Sequence, residues 1–333
     1  MTPTFSITRQ ATRLPTDNLT ILTGPTHEAY ETGLCKTGFE FWAACHESFK
    51  TWNTKYRPLP SNYHLSKFVG VPLDIDIDVI LSQNKFSQFQ ILSQISNRFN
   101  LPMISLEHTL PVPNWTPQDL AMRTSMRGHL NVFISEFSVE KWGFKLDDPT
   151  VRVIHHGIDT ELFKPSDNPR LNRILCVVND WINRDWCCNF NGFIRTASKL
   201  PTKVVGATPG LSKAASSVEE LISEYQNSRI FYNTSTISPV PTALMEAMAC
   251  GCAVVSTATC MIPELIEHGV NGFISNNEEE LTGYLQQLLE DEELATKMGN
   301  AARQTIIEKF GLEKFKQNWI SVITEASKIN ACH

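Results

Sequence analysis

The chain has 333 residues, of which 42% are hydrophobic and 19% are charged, and its 29 basic against 35 acidic residues give a net charge of −6. These values are typical of a soluble globular protein with two domains. The charge does not favour binding to nucleic acid or to an anionic membrane. No apolar stretch approaches the roughly 20 residues that cross a bilayer, which excludes a membrane-spanning protein.

The N-terminal segment and the cysteines bear on the compartment. Residues 1–24 mix arginine and aspartate with proline and threonine, so we expect no secretory signal peptide. Nine cysteines, an odd number, then favour reduced thiols in the cytoplasm. Cys187–Cys188 and Cys250–Cys252 lack the spacing of a tetrahedral zinc site, so we expect no structural metal.

In the first half of the chain, short apolar runs rich in β-formers alternate with segments of helical spacing. The predicted strands are Leu19–Leu22, Asp78–Leu81, Met103–Leu106 and Val132–Ile134. The predicted helices are Glu28–Phe49, Phe86–Phe99 and Pro117–Arg127. This alternation is typical of an α/β domain with a parallel sheet.

The second half repeats the alternation. Its predicted strands are Ile174–Val178, Thr202–Val205, Ile230–Tyr232 and Ala253–Ser256. Its predicted helices are Cys188–Lys199, Val218–Tyr225, Pro241–Met248 and Ile262–Glu267. Two Rossmann-like domains with a ligand-binding cleft between them are therefore expected.

We predict three parts along the chain. They are an N-terminal domain over residues 1–163, a C-terminal domain over residues 164–315, and a last helix over residues 316–333 that packs back toward the first domain.

Two nucleotide-binding motifs are missing from the sequence. Thr23–His27 stands after the first strand in place of G-x-G-x-x-G, which disfavours a nicotinamide-dependent dehydrogenase. The chain also lacks the P-loop motif, which disfavours a P-loop NTPase.

The segment around Pro241 predicts an anion-binding helix terminus. A strand ends near Tyr232, and Pro241 stands where the next helix would begin, since proline suits the first helical turn. The amides of Thr242 and Ala243 would then be unpaired donors at the positive helix end, a site for a diphosphate. Glu246 would lie one turn further on the same face and reach an attached ribose. A surface helix with a solvated glutamate is the alternative.

Two motifs resemble those of a known enzyme family. Ala243–Thr257 reads ALMEAMACGCAVVST and is followed by IPELI and GVNGF, which looks like the donor-site signature of retaining glycosyltransferases of the GT-B fold, family four, the glycosyltransferase group 1 type. Val153–Pro165 reads VIHHGIDTELFKP, similar to that family's domain-linking V-I-P-N-G-V-D. The resemblance covers about Met103–Ala326. It implies an α/β protein of the GT-B fold, with two Rossmann-like domains facing each other across a cleft and a nucleotide-sugar site.

The sequence departs from the family pattern at Ser238. The family's motif has a first glutamate at this position, and that carboxylate contacts hydroxyls of the donor sugar. Ser238 can still make a hydrogen bond to a sugar. The alternative is a degenerate site that binds a nucleotide sugar without catalysis.

The resemblance assigns further donor-binding residues. The family's phosphate-binding arginine and lysine have no clean match, and Arg184 is the candidate to clamp the diphosphate, with a surface ion pair to Asp180 or Asp185 as the alternative. Gly206 resembles the glycine that lets the backbone approach the base, and a plain turn glycine is the alternative. Ser235 is placed beside the donor.

In the first domain, His108 follows the strand Met103–Leu106 and resembles the family's strand-end histidine, which hydrogen-bonds the donor sugar near the reacting carbon. A structural histidine is the alternative. The loop that carries Gly24, Thr26 and His27 follows the first strand and is expected on the acceptor side. His155 and His156 occupy the Pro-Asn positions of the resembling linker motif, and we interpret them as packing residues of a hinge.

The resemblance implies transfer of a hexose from a nucleotide diphosphate sugar to an acceptor hydroxyl, with retained configuration and no cofactor. We expect a UDP-sugar rather than a GDP-sugar as the donor. A helix terminus and a guanidinium stabilise the departing diphosphate without a metal, and Asp74–Asp78 is the nearest acidic motif, placed in the wrong domain. Retention then suggests attack on the face from which the phosphate leaves, with the phosphate oxygen taking the acceptor proton.

The acceptor stays open among a glycan, a lipid-linked sugar and a modified DNA base. Asn179–Cys188 and Asn233–Pro239 resemble a subgroup found in bacteriophage and marine bacterial genomes. In phages, hydroxymethylated pyrimidine bases are one acceptor class, so a DNA glycosyltransferase is an alternative. The net charge of −6 does not support it.

Overall fold

A computed structural model describes residues 3–14, 18–54, 57–69 and 75–329. The chain passes from one compact unit to a second between Gly157 and Ile158, and it returns to the first unit between Leu312 and Glu313. No helix of these described residues is long and apolar enough to span a membrane.

The first unit is built on a parallel sheet. Its described strands are β1 (Thr20–Thr23), β2 (Glu40–Cys45), β3 (Tyr63–Val69), β4 (Val79–Ser82), β5 (Met103–Glu107), β6 (Leu130–Phe133) and β7 (Val151–Val153). They pair in the order β3-β2-β1-β4-β5-β6-β7, and each pair is parallel. Every residue of β4, β5 and β6 is buried, as is typical of central strands with both sheet faces covered.

Helices of the same unit precede these strands or lie between them. They are α1 (Pro3–Thr12), α2 (Glu28–Cys35), α3 (Ser87–Phe99), α4 (Pro117–Thr124) and α5 (Glu136–Lys141). Thr116 begins α4 with a capping box, since its hydroxyl accepts from the Asp119 amide while the Asp119 carboxylate accepts from the Thr116 amide. The four predicted strands of this half are confirmed within two residues at each end, whereas β2, β3 and β7 were not predicted.

The predicted helix Glu28–Phe49 is wrong in its second half. The helix α2 ends at Cys35, and Gly38 follows in a left-handed conformation with φ of +87°. The chain then turns back into the sheet as β2, where Phe41 is fully buried. Gly38 allows the helix to end here, because glycine adopts positive φ without a steric cost.

Asp78 anchors α1 to the end of the sheet. Its carboxylate is fully buried and forms ion pairs with Arg9, at 2.8 Å, and with Arg13. It also accepts a hydrogen bond from the Thr20 amide at 2.9 Å. Asp74, the first residue of the acidic motif, lies outside the described residues.

The second unit contains another parallel sheet. Its described strands are β8 (Leu171–Val177), β9 (Thr202–Val205), β10 (Ser228–Asn233), β11 (Ala253–Ser256) and β12 (Phe273–Ile274). They pair in the order β12-β11-β10-β8-β9, and each pair is parallel. The four predicted strands correspond to β8 to β11, so the sequence located this sheet with the exception of its short edge strand.

The second unit has helices in each predicted segment, and two long helices over residues 278–310 that were not predicted. Its described helices are α6 (Asp185–Cys188), α7 (Phe190–Thr196), α8 (Val218–Asn227), α9 (Thr242–Ala249), α10 (Ile262–Leu265), α11 (Glu278–Glu290) and α12 (Glu292–Phe310). The predicted helix Cys188–Lys199 is wrong as a single element. Asn189 interrupts it with φ of +52° and caps α7 by accepting from the Gly192 amide at 3.0 Å.

The last helix, α13 (Leu312–Ala326), packs on the first unit. Trp319 is fully buried, and its Nε1 donates a hydrogen bond to the Tyr30 hydroxyl at 3.0 Å. Glu325 forms an ion pair with Arg152. The buried Trp319 indole and its hydrogen bond to Tyr30 therefore hold α13 against α2.

Candidate functional site

The second unit has its topological switch point between β8 and β10. Successive connections leave this part of the sheet in opposite directions, since β9 lies beyond β8 and β11 lies beyond β10. Ligands of open α/β sheets bind at such a point, outside the carboxyl ends of the strands. The loop after β8 leads to Arg184, and the loop after β10 carries Ser235, Ser238 and Thr242. The structure therefore places these predicted residues at the carboxyl ends of neighbouring strands in one sheet.

The helix α9 begins at Thr242, one residue after the predicted start, with Pro241 as its N-cap residue. One detail of the prediction is wrong: the Thr242 amide is not an unpaired donor, because it donates to the Val240 carbonyl at 3.1 Å. In the described chain, the Ala243 amide donates to no backbone carbonyl. The side chain of Thr242 is exposed, and Ala243 is half-buried. Because the amides of Leu244 and Met245 both donate to the Pro241 carbonyl, Ala243 carries the one amide of residues 242–245 that the described chain leaves without a backbone partner.

Glu246 is half-buried on α9, and one of its carboxylate oxygens accepts a hydrogen bond from the Tyr225 hydroxyl at 2.9 Å. Burial and the neighbouring carboxylate raise the pKa of Tyr225 well above its ordinary value, so the tyrosine stays a proton donor. Glu246 is thus a positioned acceptor, rather than the solvated glutamate of the alternative interpretation.

Ser235 and Ser238 lie in a loop that is fixed by its neighbours. The Ser235 carbonyl accepts hydrogen bonds from the hydroxyls of Thr257, at 2.5 Å, and Thr259, at 2.9 Å. The amides of residues 236 and 237 both donate to the Cys187 carbonyl. Both serines are half-buried. This loop is therefore joined to α6, the helix that follows Arg184.

Arg184 is exposed at the start of α6, and its Nη1 lies 3.4 Å from the Asn179 carbonyl oxygen. Within the described ranges it makes no ion pair with Asp180 or Asp185, whose carboxylates accept instead from Asn183 and Asn191. An exposed guanidinium close to the switch point remains able to reach an anionic ligand.

Gly206 follows β9, and both its backbone conformation and its close neighbours require a glycine at this position. Its φ is +135°, and a Cβ atom at this position would lie 2.0 Å from the Val178 carbonyl oxygen. The neighbouring Ala207 amide donates to the Asn179 side chain at 2.9 Å. Close packing against the loop after β8 therefore explains the glycine before any ligand is considered, and its contact with a base stays a prediction.

The first unit has its switch point between β1 and β4, since β2 lies beyond β1 and β5 beyond β4. The predicted loop of Gly24, Thr26 and His27 follows β1 at this point. The Gly24 carbonyl accepts from the side-chain amides of Gln83, at 3.3 Å, and Gln88, at 3.1 Å. Two buried glutamines therefore hold this loop in one conformation.

His108 directly follows β5 and is 6% exposed. Its ring centroid lies 5.2 Å from that of His27, 4.5 Å from that of Tyr30 and 5.8 Å from that of His156. Burial, together with His156 and His27, lowers the pKa of His108 well below its ordinary value. The imidazole is therefore neutral at physiological pH, so it can accept as well as donate a hydrogen bond.

Sequence reasoning missed two residues beside His108. Gln83 is fully buried at the end of β4, and its carbonyl oxygen Oε1 lies 3.3 Å from His108 Nε2. Glu31 is 1% exposed on α2 and accepts from Gln83 Nε2 at 2.6 Å, from the Tyr63 hydroxyl at 2.9 Å and from the Thr26 amide at 3.2 Å. Glu31 looked like an ordinary acidic residue near a helix start, and only its burial distinguishes it.

Burial raises the pKa of Glu31 from 4.5 to about 7, against the opposing effect of its hydrogen bonds from Thr26, Tyr63 and Gln83. Between these two pH values the folded protein holds a proton that the unfolded chain has lost. The stability that Glu31 contributes is therefore fully present below pH 4.5 and is lost as the pH rises through about 7.

We expect Glu31→Gln to remove this pH dependence, because glutamine does not ionise. The free energy of unfolding of the variant, relative to wild type, should increase by about 3 kcal/mol from acid to slightly alkaline pH. Urea unfolding at a series of pH values measures the difference. A difference that stays constant across the series would contradict the raised pKa.

Comparisons with known proteins agree with this geometry. Residues 213–305 match the family model described as glycosyl transferases group 1. A segment of 82 residues is 39% identical to N-acetyl-alpha-D-glucosaminyl L-malate synthase of Bacillus anthracis, over 24% of this chain and 21% of that protein. The chain thus aligns with about a fifth of the length of this curated relative.

Solved structures share the fold over most of the chain. Anabaena Alr3699/HepE in complex with UDP superposes with a TM-score of 0.72 and 16% identity, covering 93% of this chain and 100% of its own. Sucrose-phosphate synthase from Thermosynechococcus elongatus superposes with a TM-score of 0.74 and 12% identity, covering 92% and 99%. The expected α/β class is confirmed: the chain has the GT-B fold of glycosyltransferases, and residues 213–305 match the glycosyl transferases group 1 family.

Proposed function

We propose that the protein is a retaining, metal-independent hexosyltransferase that moves a sugar from a UDP-sugar to an acceptor hydroxyl in the cytoplasm. The observation that carries this proposal is the N-terminus of α9, which stands at the switch point of the second sheet with Glu246 one turn behind it. Both features fall in the segment that matches the group 1 family.

In the proposed reaction, the bond between the anomeric carbon and the phosphate oxygen breaks while the acceptor oxygen bonds to the same face of that carbon. The acceptor proton passes to the departing phosphate oxygen. Negative charge grows on the diphosphate as it leaves, and the Ala243 amide with the dipole of α9 stabilises that charge. Arg184, which is exposed, supplies a guanidinium for the same oxygens.

A UDP-sugar is the favoured donor. Anabaena Alr3699/HepE, which shares the fold, has been crystallised with UDP and with UDP-glucose. A thermal-shift screen of UDP-glucose, GDP-mannose and ADP-glucose tests the proposal, since a ligand that binds the folded state raises the melting temperature by mass action. We expect UDP-glucose to give the largest increase. No shift with any nucleotide sugar would reject the proposed function.

Glu246→Ala should weaken UDP-glucose binding by at least about tenfold, because a hydrogen bond from a ribose hydroxyl to a carboxylate is worth roughly 1.5–3 kcal/mol. Isothermal calorimetry measures the affinity. Tyr225→Phe is the matched control, since it removes the hydroxyl that bonds Glu246 and leaves the carboxylate in place. Unchanged affinity in a Glu246→Ala variant with wild-type melting would remove the residue from the site.

Metal independence has its own test. In the described part of the chain, no group of three or more His, Cys, Asp or Glu side chains is placed to hold a metal ion. If the helix terminus and Arg184 stabilise the diphosphate, EDTA should leave the transfer rate within about twofold of its starting value. An activity that EDTA abolishes and magnesium or manganese restores would overturn this part of the proposal.

A second candidate function rests on Ser238. Serine stands at this position where the family that the sequence resembles has a sugar-binding glutamate. In this second function, the site binds a nucleotide sugar without transferring it. Slow hydrolysis of UDP-glucose in the absence of acceptor supports an enzyme. Tight binding with no hydrolysis, and hydrolysis that appears only in Ser238→Glu, would support the binding protein.

The acceptor is tested among the three predicted classes: a glycan, a lipid-linked sugar and a hydroxymethylated base in DNA. Duplex DNA that retains the protein at low salt, and takes up labelled sugar only when it contains hydroxymethylated pyrimidines, would support the phage-type alternative. The net charge of −6 gives no support to the DNA acceptor.

A further inference from the structure

Gln83 connects the buried carboxylate of Glu31 to the imidazole of His108. Its Nε2 lies 2.6 Å from Glu31 Oε1, 3.1 Å from the Thr23 hydroxyl and 3.3 Å from the Gly24 carbonyl oxygen. The Gly24 carbonyl oxygen only accepts hydrogen bonds, and the Glu31 carboxylate does the same once it is ionised, above about pH 7. The amide nitrogen of Gln83 must therefore face these groups, which turns its oxygen Oε1 toward His108.

This orientation selects one tautomer of His108. Gln83 Oε1 has no proton to give, so the hydrogen bond to His108 Nε2, at 3.3 Å, requires the proton to be on Nε2. A neutral imidazole carries one N–H, which leaves Nδ1 as a bare acceptor. Among the described residues, His108 Nδ1 is buried without a hydrogen-bond partner.

The other tautomer is disfavoured at both ends of this chain of contacts. If the proton were on Nδ1, Nε2 would be an acceptor facing the acceptor oxygen Oε1 of Gln83, and their lone pairs would repel each other. A flipped Gln83 amide would set its oxygen against the Gly24 carbonyl and the Glu31 carboxylate. Glu31 itself is held by Tyr63, so the preference is built into α2, β3 and β4 rather than into the loop that carries His108.

We propose that Glu31 and Gln83 are positioning residues, which fix His108 as the Nε2–H tautomer so that its Nδ1 accepts a hydrogen bond from a hydroxyl group of the sugar substrate. This inference rests on the proposed function for the identity of the ligand. Its structural part, the tautomer and its cause, is a property of the free protein.

The first test is the tautomer of His108 in the unliganded full-length protein, measured from the ¹⁵N shifts of its two ring nitrogens at slightly alkaline pH. We expect a protonated Nε2 and an unprotonated Nδ1. In Gln83→Met, which keeps the side-chain length and removes both polar groups, we expect both tautomers and a kcat at least about tenfold lower with little change in donor KM. A protonated Nδ1 in wild type, or an unchanged tautomer in Gln83→Met, would overturn the proposal.

Two further variants separate positioning from packing. Gln83→Glu can share one proton with Glu31 and still presents an acceptor to His108, so it should keep the wild-type tautomer and restore most of the turnover. Tyr63→Phe removes one buried hydrogen bond of the same network and leaves the contacts of Gln83 intact, so its tautomer should be that of wild type. If the tautomer of His108 changed as much in Tyr63→Phe as in Gln83→Met, these residues would act through packing alone, and the proposal would be refuted.

The ligand part is tested by comparing UDP with UDP-glucose. Only UDP-glucose carries sugar hydroxyls, so it should shift the Nδ1 resonance toward the hydrogen-bonded range while UDP leaves it unchanged. Equal responses to both ligands would overturn this contact. A protein that binds neither ligand fails as a glycosyltransferase, and that failure is distinguishable because the tautomer measurement needs no ligand.

Discussion

His108→Ala should lower kcat by about a hundredfold or more with little change in donor KM. If the hydrogen bond of His108 tightens as positive charge develops on the sugar ring, it stabilises the transition state more than the ground state, and its loss falls on turnover. Steady-state kinetics with UDP-glucose and the matching acceptor measure both constants.

The control for His108→Ala must account for packing, because His108 is buried against the rings of Tyr30 and His156. Both His108→Ala and His156→Ala remove a ring from this cluster and should lower the melting temperature. Only His108→Ala should reduce kcat per folded molecule. Near-normal turnover of the folded fraction of His108→Ala would show that the histidine is structural.

Gly206→Ala should cost about 3 kcal/mol or more of the free energy of unfolding. Its backbone at φ of +135° is almost restricted to glycine, and the added Cβ would lie 2.0 Å from the Val178 carbonyl oxygen, so β8 and β9 would have to separate. Urea unfolding measures the loss.

Gly210→Ala is the matched control for Gly206→Ala. Gly210 also has a positive φ, of +78°, but a Cβ there would meet nothing within 4 Å, so its cost should be only the roughly 1–2 kcal/mol of the left-handed conformation. Equal costs at the two positions would show that Val178 moves aside without strain.

The sequence predicted the second unit better than the first. Two of its central strands, β10 and β11, are almost continuous runs of buried residues, and turns and prolines separate its strands from helices of clear spacing. Pro241 located the start of α9 because the conformational preference of proline is local. The first unit failed at Glu28–Phe49, where a short helix and a strand follow each other and the apolar spacing of both fits one long helix.

The sequence by itself determined the α/β alternation, the helix terminus at Pro241 and the position of His108 at the end of a strand, because each depends on local preferences and on the period of the apolar residues. The strand order, and with it the switch points that join the loop of Ser235 and Ser238 to α6 and bring Gly24 beside Gln83, required the tertiary structure. Glu31 shows the reason most directly. A glutamate in the first turn of a helix looks the same in sequence whether it is solvated or buried, and only packing against distant residues raises its pKa and joins it to His108.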